Sequence, residues 1–406
     1  MRYGLIGGRL GHSHSPAIHK LLGGYDYALY ELAPDQLEAF LRQEDIGGLN
    51  VTIPYKRAVL PYCDTLDPVA ERTGSVNTLV FRGGRIAGYN TDYDGFLYLA
   101  KSAGVEFAGK TVVVLGSGGT SATVCAAARD AGAKEVVVIS RGGSDNYDTL
   151  GRHADADVLV NTTPVGMYPD IEASPVSLAD FPRLCGVLDV VYNPLKTRLV
   201  LEAAERKIPC AGGLAMLVAQ AHAAARRFLN TEIPVSRIEE ILHALERQLT
   251  NIVLVGMPGC GKTRVGQALS ELTGRPFVDT DELVEREWGV RIADMIEREG
   301  EAAFREREHE AVLLAAKQGG RIIATGGGAP LFARNRAALL QNGRTFYIRR
   351  NLSQLAVAGR PLSKNIPMLF EQRDPVYRAF AQVQIENDGP PEAVADTVWR
   401  AFSGER

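Results

Sequence analysis

The stretch VGMPGCGKT, Val255 to Thr263, sets three glycines, a lysine and a hydroxyl at the spacing a triphosphate needs. Gly256, Gly261, Lys262 and Thr263 satisfy G-x-x-x-x-G-K-[ST], with Gly259 inside the loop. NIVLV before it reads as a strand and RVGQALSEL after it as a helix. In that context loop N–H groups wrap a β-phosphate, Lys262 reaches the β and γ oxygens, and Thr263 ligates Mg²⁺. No N-K-x-D guanine-specificity element occurs, which favours ATP. A second loop, VVVLGSGGTSA, places Gly116, Ser117, Gly118 and Gly119 between a strand and an Ala-rich helix. It lacks the lysine and threonine, so it suits the diphosphate bridge of a dinucleotide; a purely structural tight turn is the alternative. Its third fingerprint position is Ser121, small but a departure from glycine. After the next strand, EVVVISRGG offers Ser140 and Arg141 where an NAD site has an acid, and a guanidinium suits the 2′-phosphate of NADP(H). Asp145, four residues after Arg141, is the residue that would suit NADH instead.

These loops need strands and helices to hold them. Apolar β-branched runs such as RYGLIG, YALYEL, GGLNVT, TVVVLG, EVVVIS, ADVLVNTT, GVLDVVY, NIVLVG, RIIATGG and RTFYIRR alternate with helical patterns. That rhythm predicts an α/β protein with parallel sheets covered by helices on both faces, binding ligands at the carboxyl ends of the strands. Leu97 to Lys110 reads as a helix ending near Gly104 and leading into the dinucleotide strand. In SRIEEILHALERQLTN, Ile238, Ile241, Leu242, Leu245 and Leu249 recur at helical spacing behind Pro234, with Ser236 as a candidate cap, and run almost directly into NIVLVG.

Length and composition limit what these elements serve. A chain of 406 residues predicts two or three domains at about 150 residues each. The net charge of −3, without basic runs or basic–aromatic interleaving, points away from nucleic acid and anionic membranes and toward small-molecule partners. Cys63, Cys125, Cys185, Cys210 and Cys260 form no CxxC pair or metal spacing, so they read as buried small hydrophobes in a reducing compartment. The N-terminus MRYGLIGGRLGHSHSP is broken by Gly and His and fails as a signal peptide. No stretch reaches the ~20 apolar residues of a membrane span, so the expected location is the cytoplasm. The oligomeric state is left open.

Three polar clusters precede the dinucleotide loop: GHSHSP, NVTIPYK at Asn50 to Lys56, and GSVNT…GYNTDYDG at Gly74 to Gly95. Taken singly, Asn77 and Asn90 fit turn residues, Asp92 a helix N-cap, and Lys56 a surface lysine. Together, in order and spacing, they make residues 1 to 248 resemble the shikimate dehydrogenase family. The resemblance implies that Ser13, Ser15, Thr52, Asn77, Tyr192 and Gln220 surround the hydroxyls and carboxylate of a small cyclic acid, with Lys56 and Asp92 as the catalytic pair. Hydride arriving at a ketone carbon leaves an alkoxide, which a positioned ammonium stabilises or protonates; the carboxylate beside it holds the ammonium in place and can take part in the proton traffic, so spacing alone assigns the transfer to neither. NTTPVGM, Asn161 to Met167, resembles the family's dinucleotide-lining loop, and GGLAMLVAQA implies Gly213 and Met216 near the nicotinamide, with Gln220 at the substrate.

Residues 250 to 406 resemble shikimate kinase. By that resemblance Asp279 of FVDTDELVE lies near Mg²⁺, and Asp281 holds the substrate hydroxyl and acts as its base. Arg305 of GEAAFREREHE and Arg373 of EQRDPVYRAF would bind the carboxylate, Glu308 would orient Arg305 from i+3, and Arg360 of GRPLS would be the lid arginine. Gly326, Gly327 and Gly328 would let the backbone approach the ring. Arg307 and Glu310 read as a solvated helix face, and the lid segment LSQLAVA is shorter than the family's and uncharged.

The expected architecture is a two-domain dehydrogenase-like module followed by a P-loop, nucleoside-monophosphate-kinase-like module. Its parts are a substrate domain at 1–95 and 210–248, a Rossmann-type NADP domain at 96–209, and a kinase domain at 249–406. The expected function is NADPH-dependent reduction of 3-dehydroshikimate to shikimate, then ATP- and Mg²⁺-dependent phosphorylation of the shikimate 3-hydroxyl. The alternative is a quinate/shikimate dehydrogenase of broader specificity fused to a kinase-like regulatory or sensing domain.

Overall fold

The computed structural model describes residues 1–11, 13–355 and 365–404. Arg360, expected as the lid arginine, lies outside the described residues. The chain divides into one unit of Met1–Asn193 with Leu199–Ala244 and a second of Pro194–Arg198 with Leu245–Arg406. The division falls inside the helix Ser236–Leu249, the segment whose apolar periodicity marked a joint.

The first unit holds two sheets. One has the strand order Tyr27–Glu31, Arg2–Gly7, Ile46–Val51, Thr78–Arg82, Arg85–Tyr89, Thr65–Leu66. Its first three strands run parallel, but Thr78–Arg82 pairs antiparallel with Ile46–Val51 and with Arg85–Tyr89. The first sheet is therefore mixed, a departure from the parallel sheets that the strand–helix rhythm predicts. FRGGRI carries a hairpin whose Gly83 (φ 58°) and Gly84 (φ 72°) take the left-handed conformation that a two-residue turn between twisted strands requires.

The second sheet is wholly parallel, in the order Cys210–Ala211, Gly186–Asp189, Val158–Asn161, Thr111–Leu115, Glu135–Ile139. Its side chains alternate between two cores. Val112, Val114, Val158 and Val160 pack on one face with Phe96 and Val124, while Val113, Leu115, Leu159 and Val187 pack on the other with Leu178 and Leu199. Burial on both faces is why these strands read as continuous β-branched runs. The helix Leu214–Leu229 crosses Asp92–Ser102 closely, because any Cβ on Gly95 would meet the Met216 carbonyl at 2.7 Å. This crossing brings Asp92 and Gln220 to one place.

The second unit has one parallel sheet, ordered Phe277–Asp279, Ile322–Ala324, Asn251–Val255, Gly343–Arg349, Val383–Glu386. Ile252 to Val255 are buried throughout and sit in the centre of the core. The edge strands Phe277–Asp279 and Val383–Glu386 escape a reading by apolar runs because they are short and interrupted by polar residues. The helix Ile292–Ala316 bends at Gly300, whose φ of 88° and ψ of 166° are not helical.

All five cysteines are free thiols, but only Cys125 and Cys260 are buried. Cys185 is exposed, correcting the expectation, since it lies in the turn before the strand Gly186–Asp189. Among the described residues no helix is long and apolar enough to cross a membrane.

His19 shows how tightly the first sheet is covered. It is fully buried, stacked on Tyr27 at 4.0 Å and hydrogen-bonded to the Tyr25 hydroxyl, and burial pushes its imidazole down to about 3. An unfolded histidine titrates near ~6.5, so between these values the unfolded chain binds a proton that the native chain does not. Stability is therefore lost as pH falls through this window, by about 1.4 kcal/mol per pH unit from this residue. His19→Gln is expected to flatten the pH dependence of urea unfolding between about pH 6 and 4 by that slope. An unchanged slope would show that His19 is not the source.

Candidate active sites

A cavity of about 310 Å³ opens in the first unit. Ser13, Ser15, Thr52, Lys56, Asn77, Asp92, Tyr192 and Gln220, all expected at the substrate, line it together with Gly213 and Met216, expected near the nicotinamide. Lys56 Nζ donates to Asp92 Oδ2 at 2.5 Å, and both side chains are mostly buried, at 16% and 10% exposure. Asp92 is thus no N-cap; the cap position is Thr91. The other oxygen of Asp92 accepts from Asn77 Nδ2 at 2.8 Å. Asn77 is itself fixed, its Oδ1 accepting from the Thr91 N–H at 2.7 Å and from Thr78 Oγ1 at 3.2 Å, with Gln220 Oε1 3.4 Å from its amide nitrogen. Removing either member of an ion pair this buried leaves an uncompensated charge, at a cost of about 3–5 kcal/mol. Asn90 does not face the cavity. Its amide bridges Thr73 and Thr123 at 3.0 and 2.9 Å, tying the two sheets' helices together. Burial pushes the Tyr192 phenol up, which keeps it a hydrogen-bond donor.

The dinucleotide loop joins Thr111–Leu115 to the helix Gly119–Asp130. Gly118 caps that helix without a side-chain oxygen, so first-turn N–H groups are left for an anion. A Cβ at Gly118 would meet nothing within 4 Å, and Ser117 beside it is exposed, so the loop presents an open cradle that fits a diphosphate. The departure at Ser121 has a use: its hydroxyl donates to the Gly116 carbonyl at 2.6 Å and closes the turn. Arg141 stands exposed just past the strand Glu135–Ile139, whereas the Asp145 carboxylate is engaged by His153 Nε2 at 2.9 Å. Gly213 is demanded by packing, since a Cβ there would overlap the Val190 carbonyl.

In the second unit the loop after Asn251–Val255 carries Gly256, Gly259 and Gly261 at φ of 147°, 78° and 100°. Lys262 Nζ spans the loop, donating to the Gly256 and Met257 carbonyls at 3.0 and 3.1 Å. Thr263 Oγ1 donates to Asp279 Oδ2 at 2.7 Å, an adjacent pair of hard oxygen donors that fits Mg²⁺ beside the phosphates. Asp281, Glu308, Arg305 and Arg373 converge on Gly326, Gly327 and Gly328. A Cβ at Gly326 would overlap the Asp281 carboxylate, one at Gly327 would lie 3.3 Å from Arg373 Nη1, and one at Gly328 would lie 2.5 Å from Arg305 Nη1. Arg305 donates to Glu308 at 2.9 Å and to Glu301 at 2.7 Å. Burial pushes the Glu308 carboxyl up, and the Arg305 and Arg373 guanidiniums draw it back down. Arg307 pairs with Glu299 and Glu310 is exposed, as a solvated face requires.

Known proteins match both units. The shikimate dehydrogenase substrate-binding domain matches residues 5–79, and shikimate kinase matches residues 258–403. The shikimate dehydrogenase (NADP(+)) of Symbiobacterium thermophilum is 36% identical over 280 residues, covering 60% of this chain and 95% of that protein. The chain belongs to the shikimate dehydrogenase family. Its C-terminal part is a shikimate kinase domain. The Methanopyrus kandleri enzyme of the same name is 38% identical, over 58% of this chain and 93% of its own. Among solved structures, a chorismate mutase/shikimate 5-dehydrogenase fusion from Clostridium acetobutylicum is 36% identical, covering 60% of this chain and 96% of its own, with a TM-score of 0.58. Shikimate 5-dehydrogenase from Thermus thermophilus, solved with NADP(H) and shikimate, is 32% identical over 60% of this chain and 99% of its own, with a TM-score of 0.55.

Sequence reasoning missed several residues of the kinase site. Tyr377 is fully buried and donates to the Gly327 carbonyl at 2.5 Å; it lies one helical turn after Arg373, and that spacing was the available signal. Thr280 Oγ1 accepts from the Gly326 N–H at 2.9 Å, and Glu301 is a second acid on Arg305. Because Gly326 lies against Asp281 and Glu308, Gly326→Ala is expected to lower kcat/KM of the kinase domain by about a hundredfold, the cost of displacing such groups by about 1 Å. The dehydrogenase rate should be unchanged. A kinase rate within about twofold of wild type would show that the site tolerates the methyl group.

Proposed function

We propose that the chain is a bifunctional enzyme of the shikimate pathway. The dehydrogenase unit reduces 3-dehydroshikimate to shikimate with NADPH, and the kinase domain transfers the γ-phosphoryl of ATP to the shikimate 3-hydroxyl. The observation that carries the reading is the Lys56–Asp92 pair at 2.5 Å, set in a cavity whose other polar walls are hydroxyls and amides. Bound NADPH supplies the hydride. Lys56 then stabilises the oxygen that gains charge and gives it the proton, because both oxygens of Asp92 are engaged while the ammonium keeps further N–H groups. Asp92 holds Lys56 in place. Ser13, Ser15 and Tyr192 hold the ring carboxylate, and Thr52, Asn77 and Gln220 its hydroxyls. Gly116 to Gly119 cradle the diphosphate, Arg141 takes the 2′-phosphate, and Gly213 lies beside the nicotinamide.

In the kinase domain Asp281 accepts the proton of the attacking hydroxyl, and Arg305, aligned by Glu308, binds the carboxylate with Arg373. Lys262 and the glycine loop stabilise charge on the phosphoryl oxygens, and Thr263 with Asp279 hold Mg²⁺. The substrate domain spans 1–95 and 210–248, the NADP domain 96–209 and the kinase domain 249–406. Five free thiols and the two nucleotides fit a cytoplasmic enzyme.

Lys56→Ala is expected to lower NADPH-dependent reduction on the order of a thousandfold while sparing phosphorylation, and Lys262→Ala to do the reverse. Rates of both half-reactions in each variant test this. Loss of both activities in either variant, with its circular dichroism intact, would contradict two independent sites.

A further inference from the structure

Three formally charged residues line the dehydrogenase cavity, and two of them cancel: Lys56 and Asp92 are paired, and Arg9 is the third. Arg9 sits on the loop that leaves the strand Arg2–Gly7 and leads to Ser13 and Ser15. Glu31 pins that loop by accepting the backbone N–H groups of Leu10 at 2.7 Å and Gly11 at 3.3 Å. The Arg9 guanidinium has no carboxylate partner among the described residues, and the residue is exposed at the cavity mouth.

We infer that Arg9 is the counter-charge for the substrate carboxylate and so sets the dehydrogenase unit's preference for an acid. The inference rests on the function proposed above and adds a residue to it. An acid carries one negative charge into this cavity. Ser13, Ser15 and Tyr192 line the cavity with hydroxyls that would donate hydrogen bonds to it but would leave that charge uncompensated. Lys56 does not supply the compensation, because Asp92 already neutralises it and its place is at the reacting oxygen. Arg9 alone gives the lining its net positive charge, and a guanidinium matches a carboxylate with paired N–H donors. The ligand class is a cyclic monocarboxylic acid, distinguished from its uncharged amide.

The test uses the full chain and the oxidation of shikimate by NADP⁺. Arg9→Ala is expected to raise KM for shikimate on the order of tenfold, with kcat and KM for NADP⁺ within about twofold, and Arg9→Lys to recover most of the loss. With the carboxamide of shikimate, wild type and Arg9→Ala should share one KM. The KM for shikimate in ATP-dependent phosphorylation is the internal control and should not change. An unchanged KM for the acid, an equal loss with the amide, or a rise in KM for NADP⁺ in place of shikimate would each overturn the role of Arg9 alone. A wild-type chain without NADP⁺-dependent oxidation of shikimate would overturn the functional reading and the inference with it.

Discussion

A backbone N–H reaches a phosphate oxygen only where no side chain stands between them, and both units are arranged around a strand, a glycine turn and a helix that satisfy this condition. In the dehydrogenase unit the turn stays open at Gly118, and Ser121 secures it from within the helix. In the kinase unit the turn is tighter. Side chains at Gly256 or Gly261 would run into the Ile348 carbonyl or the Asn387 amide, so the strand Gly343–Arg349 and the residue that follows Val383–Glu386 brace the loop. Once the strand ends are committed to phosphates, the remaining loops at the same edge of each sheet are where a substrate can lie against them.

The two substrate sites solve the burial of charge differently. In the dehydrogenase cavity a single ion pair is held by a neutral network: Asn77 bonds Asp92 with its amide while Thr91 and Thr78 occupy its carbonyl, so each member is satisfied without substrate. The close crossing of Asp92–Ser102 by Leu214–Leu229, possible because residue 95 is glycine, adds Gln220 to that network. In the kinase site alternating charges, Glu301, Arg305, Glu308 and Arg373, are packed against three glycines whose missing side chains leave the room that charged groups and a ring require. The first arrangement fixes one ammonium beside a single carboxylate; the second sets two guanidiniums against the glycines and aligns one of them, Arg305, with two glutamates.

How much of this was legible in the sequence follows from how local each feature is. The phosphate loop is contained in nine residues, and its lysine and hydroxyl are dictated by chemistry, so it could be read directly. Lys56, Asn77 and Asp92 come together only through the hairpin Thr78–Tyr89, which the reading as parallel sheets passed over; their partnership was accessible through resemblance and not through spacing. Asn90, grouped with them in sequence, faces the other way and ties helices. Tyr377 and Thr280 act on backbone atoms of the glycine loop, a role that carries no signature in residue type. Arg9 was passed over because one arginine in a glycine-rich loop has meaning only when the other charges of the cavity are counted.

The two half-reactions meet at one oxygen. The carbonyl oxygen that accepts a proton in the dehydrogenase unit is the hydroxyl that attacks phosphorus in the kinase domain, so 3-dehydroshikimate itself has no 3-hydroxyl to phosphorylate. The most direct measurement is an incubation of the full chain with 3-dehydroshikimate, NADPH and ATP, following NADPH oxidation, ADP formation and the phosphorylated acid together. The account predicts that shikimate 3-phosphate forms in step with NADPH consumed and that none forms when NADPH is omitted. Accumulation of shikimate with ATP untouched, or phosphorylation of the acid without NADPH, would contradict it.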